Sequence, residues 1–190
     1  MSSLVVFPFK YENPEILVRN VHIAAAHPSV GEVLGVGFEE EKTFRSLVTE
    51  ASRIEQATGT PVTALLQDRI GTKRPGKGDA INTGLRYLLD NSDHDRVHFY
   101  DADIYSFTAD WVEKAENVAD EGYQVVRHYF PRATTDAMIT WMIPRAGLAM
   151  LWPHSELPWI EQPLGGELLF TRPVVEALVA DEAVQAQSDW

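Results

Sequence analysis

Apolar and polar residues alternate along this chain in two periods, one suited to strands and one to helices. Leu4-Val5-Val6-Phe7 is a short apolar, β-branched run that predicts a first strand, with Pro8-Phe9-Lys10 expected to end it. Asn13-Pro14-Glu15 reads as a helix start: a capping Asn, a Pro at the first helical position and an acid in the first turn. Leu17, Val21 and Ala24 then share a face. Glu32 to Val36 predicts a second strand. From Glu39 to Thr58 the apolar residues Phe44, Leu47, Val48, Ala51 and Ile54 fall at helical spacing, and Gly59 closes that helix. Pro61 to Leu66 alternates toward a third strand, and a loop with three glycines runs from Gln67 to Gly78. Ile81, Leu85 and Leu88 lie on one face of the next helix. Arg96 to Tyr100 predicts a fourth strand, Trp111, Ala115 and Val118 a further helix ended by Gly122, and Gln124 to Tyr129 a fifth strand.

Strands and helices that alternate in this way predict an α/β fold, a mostly parallel sheet flanked by helices. The last third differs. Ala137 to Trp152 is apolar nearly all round, and Pro144 is expected to kink or divide it. Three of the five tryptophans, Trp141, Trp152 and Trp159, lie here. A Pro-Leu-Gly-Gly-Glu turn at 163–167, a strand-like Leu168-Leu169-Phe170 and a helix starting near Pro173 complete the chain. At 190 residues it is long enough for one domain with a real core and short for two.

Composition narrows the function classes. The hydrophobic share of 45% and charged share of 23% are ordinary for a soluble globular protein. No apolar run approaches the roughly 20 residues of a membrane span, and Met1-Ser2-Ser3-Leu4 has no basic region of the signal-peptide kind. With no cysteine, disulfides, thiolate metal sites and a cysteine nucleophile are excluded, which fits a cytoplasmic protein. A net charge of −12 disfavours nucleic acid as a partner. Cations are nonetheless concentrated at Arg69, Lys73, Arg74 and Lys77, where a small anion could bind.

Two stretches carry candidate chemistry. In Val97-His98-Phe99-Tyr100-Asp101-Ala102-Asp103 a buried strand runs into two acids spaced i, i+2. Two carboxylates at a strand end repel each other unless a cation lies between them, and oxygen ligands select Mg²⁺ or Mn²⁺. Open α/β sheets bind ligands outside the C-terminal ends of their strands. The bland alternative is a pair of solvated turn residues. His98, on the opposite face from Phe99, reads as a satisfied core or surface histidine rather than a ligand. The second stretch, Arg69 to Leu85, sets Lys77 between Gly76 and Gly78 at the start of a helix whose first N–H groups are expected to be free for an anion. It is not a Walker A loop, because Gly78 stands where a Ser or Thr would hold Mg²⁺. A flexible solvated loop is the alternative there.

The run G-K-G-x-A-x-N-x-G-L from Gly76, followed by an apolar strand and D-x-D, resembles the nucleotide-sugar half of GT-A (Rossmann-like) glycosyltransferases. Phe7-Pro8-Phe9-Lys10, Arg127-His128-Tyr129-Phe130-Pro131-Arg132-Ala133, Thr135 to Trp141 and Trp159 to Glu167 narrow the resemblance to the mannosylglycerate synthases. That family transfers mannose from GDP-mannose to D-glycerate. The resemblance implies that Pro8, Phe9, Lys10, Tyr11 and Glu12, with Val36 and Gln67, line the guanosine site, and that Lys77 contacts the nucleotide. It implies that Asp101 and its neighbour Ala102 lie at the ribose, that Asp101 approaches the metal through water and that Asp103 ligates it. Leu164 would lie against the sugar. Arg132, with Asp136, Ala137, Met138, Ile139 and Thr140, would hold the acceptor's carboxylate and hydroxyls, and Arg132, Thr140 and Glu167 are the candidate catalytic residues. His128, Trp141 and Trp159 read as packing residues.

The implied reaction is metal-dependent transfer with retention. Retention by double displacement needs a carboxylate nucleophile; Glu167 qualifies by residue type alone, so same-face attack by the acceptor hydroxyl stays equally open. Family members continue beyond Ser188-Asp189-Trp190 into a stretch with a histidine that completes the metal site and a helical region, so the chain is expected to be one GT-A domain truncated at its C-terminus, with room for a homo-oligomer. The open alternatives are a nucleotide-sugar-binding domain without full catalytic competence, a glycosyltransferase of other donor specificity, and a nucleotidyltransferase.

Overall fold

The computed structural model describes residues 2–72, 75–129, 141–160 and 165–188. Its centre is a six-stranded sheet in the order β3-β2-β1-β4-β6-β5. The strands are β1 (Ser3–Phe9), β2 (Val30–Gly37), β3 (Val62–Leu66), β4 (Arg96–Phe99), β5 (Val125–Arg127) and β6 (Leu168–Thr171). β1 pairs in parallel with β2 and with β4, and β2 in parallel with β3. Only β6 runs against its neighbours. The mostly parallel sheet expected from the alternation is therefore present.

Proline does not end the first strand. Pro8 pairs with Val36 and Phe9 with Gly37, so β1 outruns its predicted end. The reason is the direction of the missing N–H. Val6 accepts from Tyr100 on the β4 side, while Phe9 accepts from Phe38 on the β2 side. Pro8 has the parity of Val6, so its nitrogen faces β4, whose pairing with β1 has already stopped at Phe99. A proline there removes no ladder bond.

The two sides of β1 feed two cores. Val5, Phe7 and Phe9 pack against helices α1 (Pro14–Ala25), α2 (Lys42–Thr58) and α4 (Ala109–Asp120) through Leu17, Val21, Leu47, Ile54 and Val112. Leu4 and Val6, with Val97 and Phe99, pack on the other side against α3 (Lys77–Asn91) through Ile81, Leu85 and Leu88. The Asn13 side chain caps α1 by accepting from Glu15, and Gly59, at φ 79°, ends α2. Two side chains placed on buried faces by their spacing are not there. Val48 is 52% exposed, because the α2 stripe follows Leu47, Ala51 and Ile54. Val118 also faces solvent, while Val112, Ala115, Glu116 and Ala119 form the inner face of α4.

Residues 141–160 stand apart. A π-helical turn at Trp141–Arg145 contains Pro144 and gives way to a short α5 (Ala146–Leu151), the division that a proline imposes by removing a helical donor. None of α5 is buried, and Trp159, expected to pack, is 78% exposed. The chain then enters β6, α6 (Arg172–Ala180) and α7 (Glu182–Gln185). No helix among the described residues is long and apolar enough to cross a membrane.

A buried polar chain ties β4 to α4. Glu116 accepts from Ser3, from Arg96 and from His98 Nε2 at 2.8 Å, and Arg96 also reaches Asp120 at 2.6 Å. His98 Nδ1 meets the Tyr100 hydroxyl at 3.0 Å, which lies 3.4 Å from His128 Nε2. His98 is thus a satisfied core histidine. Burial holds its pKa below the usual value. Burial also pushes His128 down to about 4, helped by His98 and Lys114.

Two predictions follow from this packing. Leu47→Ala removes a fully buried side chain and should cost about 3 kcal/mol, whereas Val48→Ala should change stability by less than about 0.5 kcal/mol; urea unfolding of both variants checks the difference. The unfolded chain protonates His128 near 6.5 and the folded chain only near 4, so the folded state binds fewer protons between them. The stability this contributes is complete above pH 6.5 and is lost as pH falls toward 4. His128→Gln should therefore flatten the decline of the thermal midpoint across that window, and coincident pH profiles for the two proteins would refute the assignment.

Candidate active site

The parallel strands β1, β2 and β3 all end at one edge of the sheet, and so does β4. A cleft of about 250 Å³ opens there. Pro8, Phe9, Lys10 and Glu12 form one wall from the end of β1, and Phe38 and Gln67 continue it from β2 and β3. Lys77 and Ala80 face them from α3, and Asp101, Ala102 and Asp103 close the cleft from the loop after β4. Most residues expected at the nucleotide thus converge on one crevice, where the chain order switches between β2 on one side of β1 and β4 on the other. Lys10 Nζ lies 4.1 Å from the centre of the Phe38 ring, a cation–π contact that holds the ammonium at the rim. The Lys10 backbone N–H donates to Glu12.

The two carboxylates after β4 do not face each other unrelieved. Lys77 Nζ forms an ion pair with Asp101, each side chain about one-third exposed, and Asp103 stays solvent-exposed in the same cleft. The lysine from α3 thus offsets the charge of one of the two acids, Asp101. The loop that bears both acids is tied down from α1: Asn20 Nδ2 donates to the Ile104 carbonyl at 3.0 Å, and Arg19 to those of Ile104 and Tyr105 at 3.0 and 2.7 Å. Asn20 was not singled out in the sequence, although a polar residue between Leu17, Val21 and Ala24 on a buried face is the mark of such a role.

The glycine turn before β6 lies over the ion pair. A Cβ on Gly166 would come within 2.6 Å of Lys77 Nζ and 3.2 Å of Asp101 Oδ1, and one on Gly165 within 2.9 Å of Arg127 Nη1. A side chain at either position would have to displace the end of Arg127 or of Lys77. Arg127 is half-buried at the end of β5, and burial holds its pKa below the usual value against the opposing charge of Glu167.

Several expected residues sit elsewhere. Val36 is fully buried beside Leu34 and contributes no surface to the cleft. Its side chain has the parity of the α3 core, so the lining passes to Phe38. Tyr11 is 63% exposed and turns its hydroxyl to Glu39, outside the cleft wall. Glu167 is buried behind Gly165 and Gly166, and it is Gly166 that meets Lys77 and Asp101. Gln67, Ala102, Pro8, Phe9, Lys10 and Glu12 line the cleft. Arg69 is committed to Asp79, at 2.6 Å, and is not free for an anion. The first-turn N–H groups of α3 are also used: that of Gly78 donates to the Ser188 carbonyl at 2.7 Å and that of Asp79 to Gly76 at 3.2 Å. Lys73, Arg74, Arg132, Asp136, Ala137, Met138, Ile139, Thr140 and Leu164 lie outside the described residues.

A larger groove of about 710 Å³ runs between α1 and α2, lined by Arg19, Lys42, Arg45 and Arg53 among others. Arg19 and Arg45 spend hydrogen bonds on backbone carbonyls, Arg53 pairs with Glu50, and none of the strand-end groups reaches it. The chemistry-bearing residues belong to the smaller cleft.

The chain is 62% identical over 188 residues to a mannosylglycerate synthase of Rhodothermus marinus, covering 99% of this chain and 47% of that protein. It is 54% identical over 189 residues to one of Selaginella moellendorffii, covering 99% and 45%. The chain thus spans about half the length of these relatives. Among solved structures, glucosyl-3-phosphoglycerate synthase of Mycobacterium tuberculosis, in complex with Mn²⁺, UDP and phosphoglyceric acid, matches with a TM-score of 0.66 at 23% identity, over 91% of this chain and 56% of that one. A mannosyltransferase of Pyrobaculum calidifontis, in complex with GDP-Man and Mn²⁺, matches with a TM-score of 0.58 at 17% identity, over 93% and 46%. These two share the glycosyltransferase fold. The family described as mannosylglycerate synthase, GT domain, matches residues 3–190, nearly the whole chain, and the chain belongs to that family.

Proposed function

We propose that this chain is the donor-binding and transfer domain of an enzyme that moves mannose from GDP-mannose to D-glycerate, or a similar small hydroxy acid, with retention. The observation that carries the reading is the meeting of Lys77, Asp101 and Asp103 in one crevice at the parallel strand ends, in a chain of the mannosylglycerate synthase family. Pro8, Phe9 and Phe38 offer apolar surface for a nucleobase, and Gln67 offers amide groups for its edge. Lys77 supplies the charge for a diphosphate. The solved relatives above were crystallised with Mn²⁺ and a nucleotide or nucleotide sugar, which supports the same class of donor.

The donor set in the cleft fits a hard divalent ion. Asp103 is exposed and all-oxygen, Asp101 stands two residues away, and Mg²⁺ or Mn²⁺ is commonly held by one or two carboxylates with substrate phosphates completing the shell. A bound cation there supplies Lewis-acid neutralisation of a departing diphosphate.

The chain's own part is positional and electrostatic. The Lys77 ammonium leaves Asp101 for the diphosphate and offsets the charge that builds as the sugar–oxygen bond breaks. The Gly165-Gly166 turn brings backbone, without a side chain, against that point. Glu167, buried behind the turn, is badly placed for a nucleophile, which favours same-face attack by the acceptor hydroxyl. Arg132 and residues 136–140 are assigned to the acceptor, and Leu164 to the sugar.

Titration calorimetry with GDP-mannose, UDP-glucose and CTP, with and without Mn²⁺, tests the donor. GDP-mannose should bind best and only with metal at full strength; preference for CTP would point to a nucleotidyltransferase. Product formation is measured separately, because binding without mannosylglycerate would leave a donor-binding domain rather than an enzyme. Asp103→Ala should abolish the Mn²⁺-dependent part of GDP affinity, and an unchanged metal dependence would overturn its role. Lys77→Ala should weaken GDP by roughly tenfold, the worth of a charge-assisted contact.

A further inference from the structure

Lys77 opens α3 between two glycines, Gly76 and Gly78, residues that restrain a backbone least. A restraint arrives from the far end of the chain. Residues 185–188 lie across the start of α3 and the loop before it. The Ser188 carbonyl takes the Gly78 N–H at 2.7 Å, and the Ala186 carbonyl takes that of Thr72 at 3.2 Å. Arg69 Nη1 bridges Asp79, at 2.6 Å, and Ser188 Oγ, at 3.2 Å. Asp79, fully buried, also accepts from the N–H groups of Ile70 and Gly71 at 3.2 and 2.6 Å. Gly71 presses so close that a Cβ there would come within 2.0 Å of Ser188 Oγ.

One residue of α3 fastens this segment. Asn82 is fully buried; its Oδ1 accepts from Gln185 Nε2 at 3.0 Å and its Nδ2 donates to the Gln187 carbonyl at 3.3 Å. Arg86 holds Gln185 from the next turn, Nε to Oε1 at 2.9 Å. Asn82 lies on the helix that begins at Lys77, yet it lines no part of the cleft.

We propose that residues 185–188 form a strap that positions Lys77 for the donor diphosphate, with Asn82 as the positioning residue that fastens it. The strap does two things. It occupies the Gly78 N–H, which would otherwise offer an anion the positive end of α3, and so leaves the diphosphate to the Lys77 side chain. It also ties down the backbone at Gly78 and at Thr72, before the loop that leads to Lys77, so that this ordering is not charged to donor binding. The inference rests on the reading of Lys77 as a diphosphate contact.

A double-mutant cycle on the full chain separates the two claims. GDP affinity is measured by calorimetry with Mn²⁺ for the parent, Asn82→Ala, Lys77→Ala and the pair, and exchange of the Gly78 amide is followed in each. Asn82→Ala should weaken GDP roughly five- to tenfold, a loss of pre-organisation rather than of contact, and should speed Gly78 exchange. In the Lys77→Ala background the same change should alter GDP affinity by less than about twofold. Losses that add in the double variant, or an Asn82→Ala protein that binds GDP like the parent, would overturn the strap. If Lys77→Ala alone leaves GDP affinity unchanged, the reading of Lys77 fails first and takes the strap's purpose with it. Gln185→Ala cuts the same fastening without touching α3, and it carries the cycle if Asn82→Ala does not fold.

Discussion

The site depends on where β4 stops bonding to β1. The pairing ends at Val6 and Phe99, with one further bond from the Tyr100 N–H to Val6, while β1 stays paired with β2 through Phe9. Pro8 makes that end firm, because it has no N–H to offer on the β4 side. The crevice that results is bounded by a strand still in the sheet and one that has left it. Everything proposed for the nucleotide is measured from that fork: Phe9 and Lys10 on the paired side, Asp101 and Asp103 on the departing side.

Charge then sorts the groups in the fork. A chain of net charge −12 places two carboxylates one residue apart at a strand end and meets the first with a lysine from the opposite helix. In this form Asp101 and Lys77 neutralise each other, so neither stands as an uncompensated charge. The pair is partly exposed, so an anion entering the cleft would compete for the ammonium directly. Gly166 lies close to both, since a Cβ there would come within 2.6 Å of Lys77 Nζ and 3.2 Å of Asp101 Oδ1.

Support for these groups comes from buried polar side chains rather than from the cleft itself. Asn20 holds the loop of Asp101 and Asp103 from α1, and Asp79 with Asn82 holds the loop of Lys77 through the strap. Glu116 and His98 lock β4 to α4 one layer below. Each replaces water around a backbone group or a charge that burial would otherwise leave unpaired, which is the condition for keeping polar atoms inside.

The sequence by itself determined the alternation of strands and helices, the capped starts and ends of α1 and α2, and the candidacy of Lys77, Asp101 and Asp103, because periodicity, capping and short motifs are local properties. It also carried the family resemblance, a matter of residue identity rather than packing. It misplaced the end of β1, the inner faces at Val48 and Val118 and the packing of Trp159, since each turns on which neighbour arrives from a distant part of the chain. Arg69 looked like an anion ligand until Asp79 claimed it, and the start of α3 looked open until Ser188 covered it. Only the tertiary structure decided these, because a hydrogen bond between residues about 110 positions apart, as between Gly78 and Ser188, leaves no periodic trace in the residues that make it.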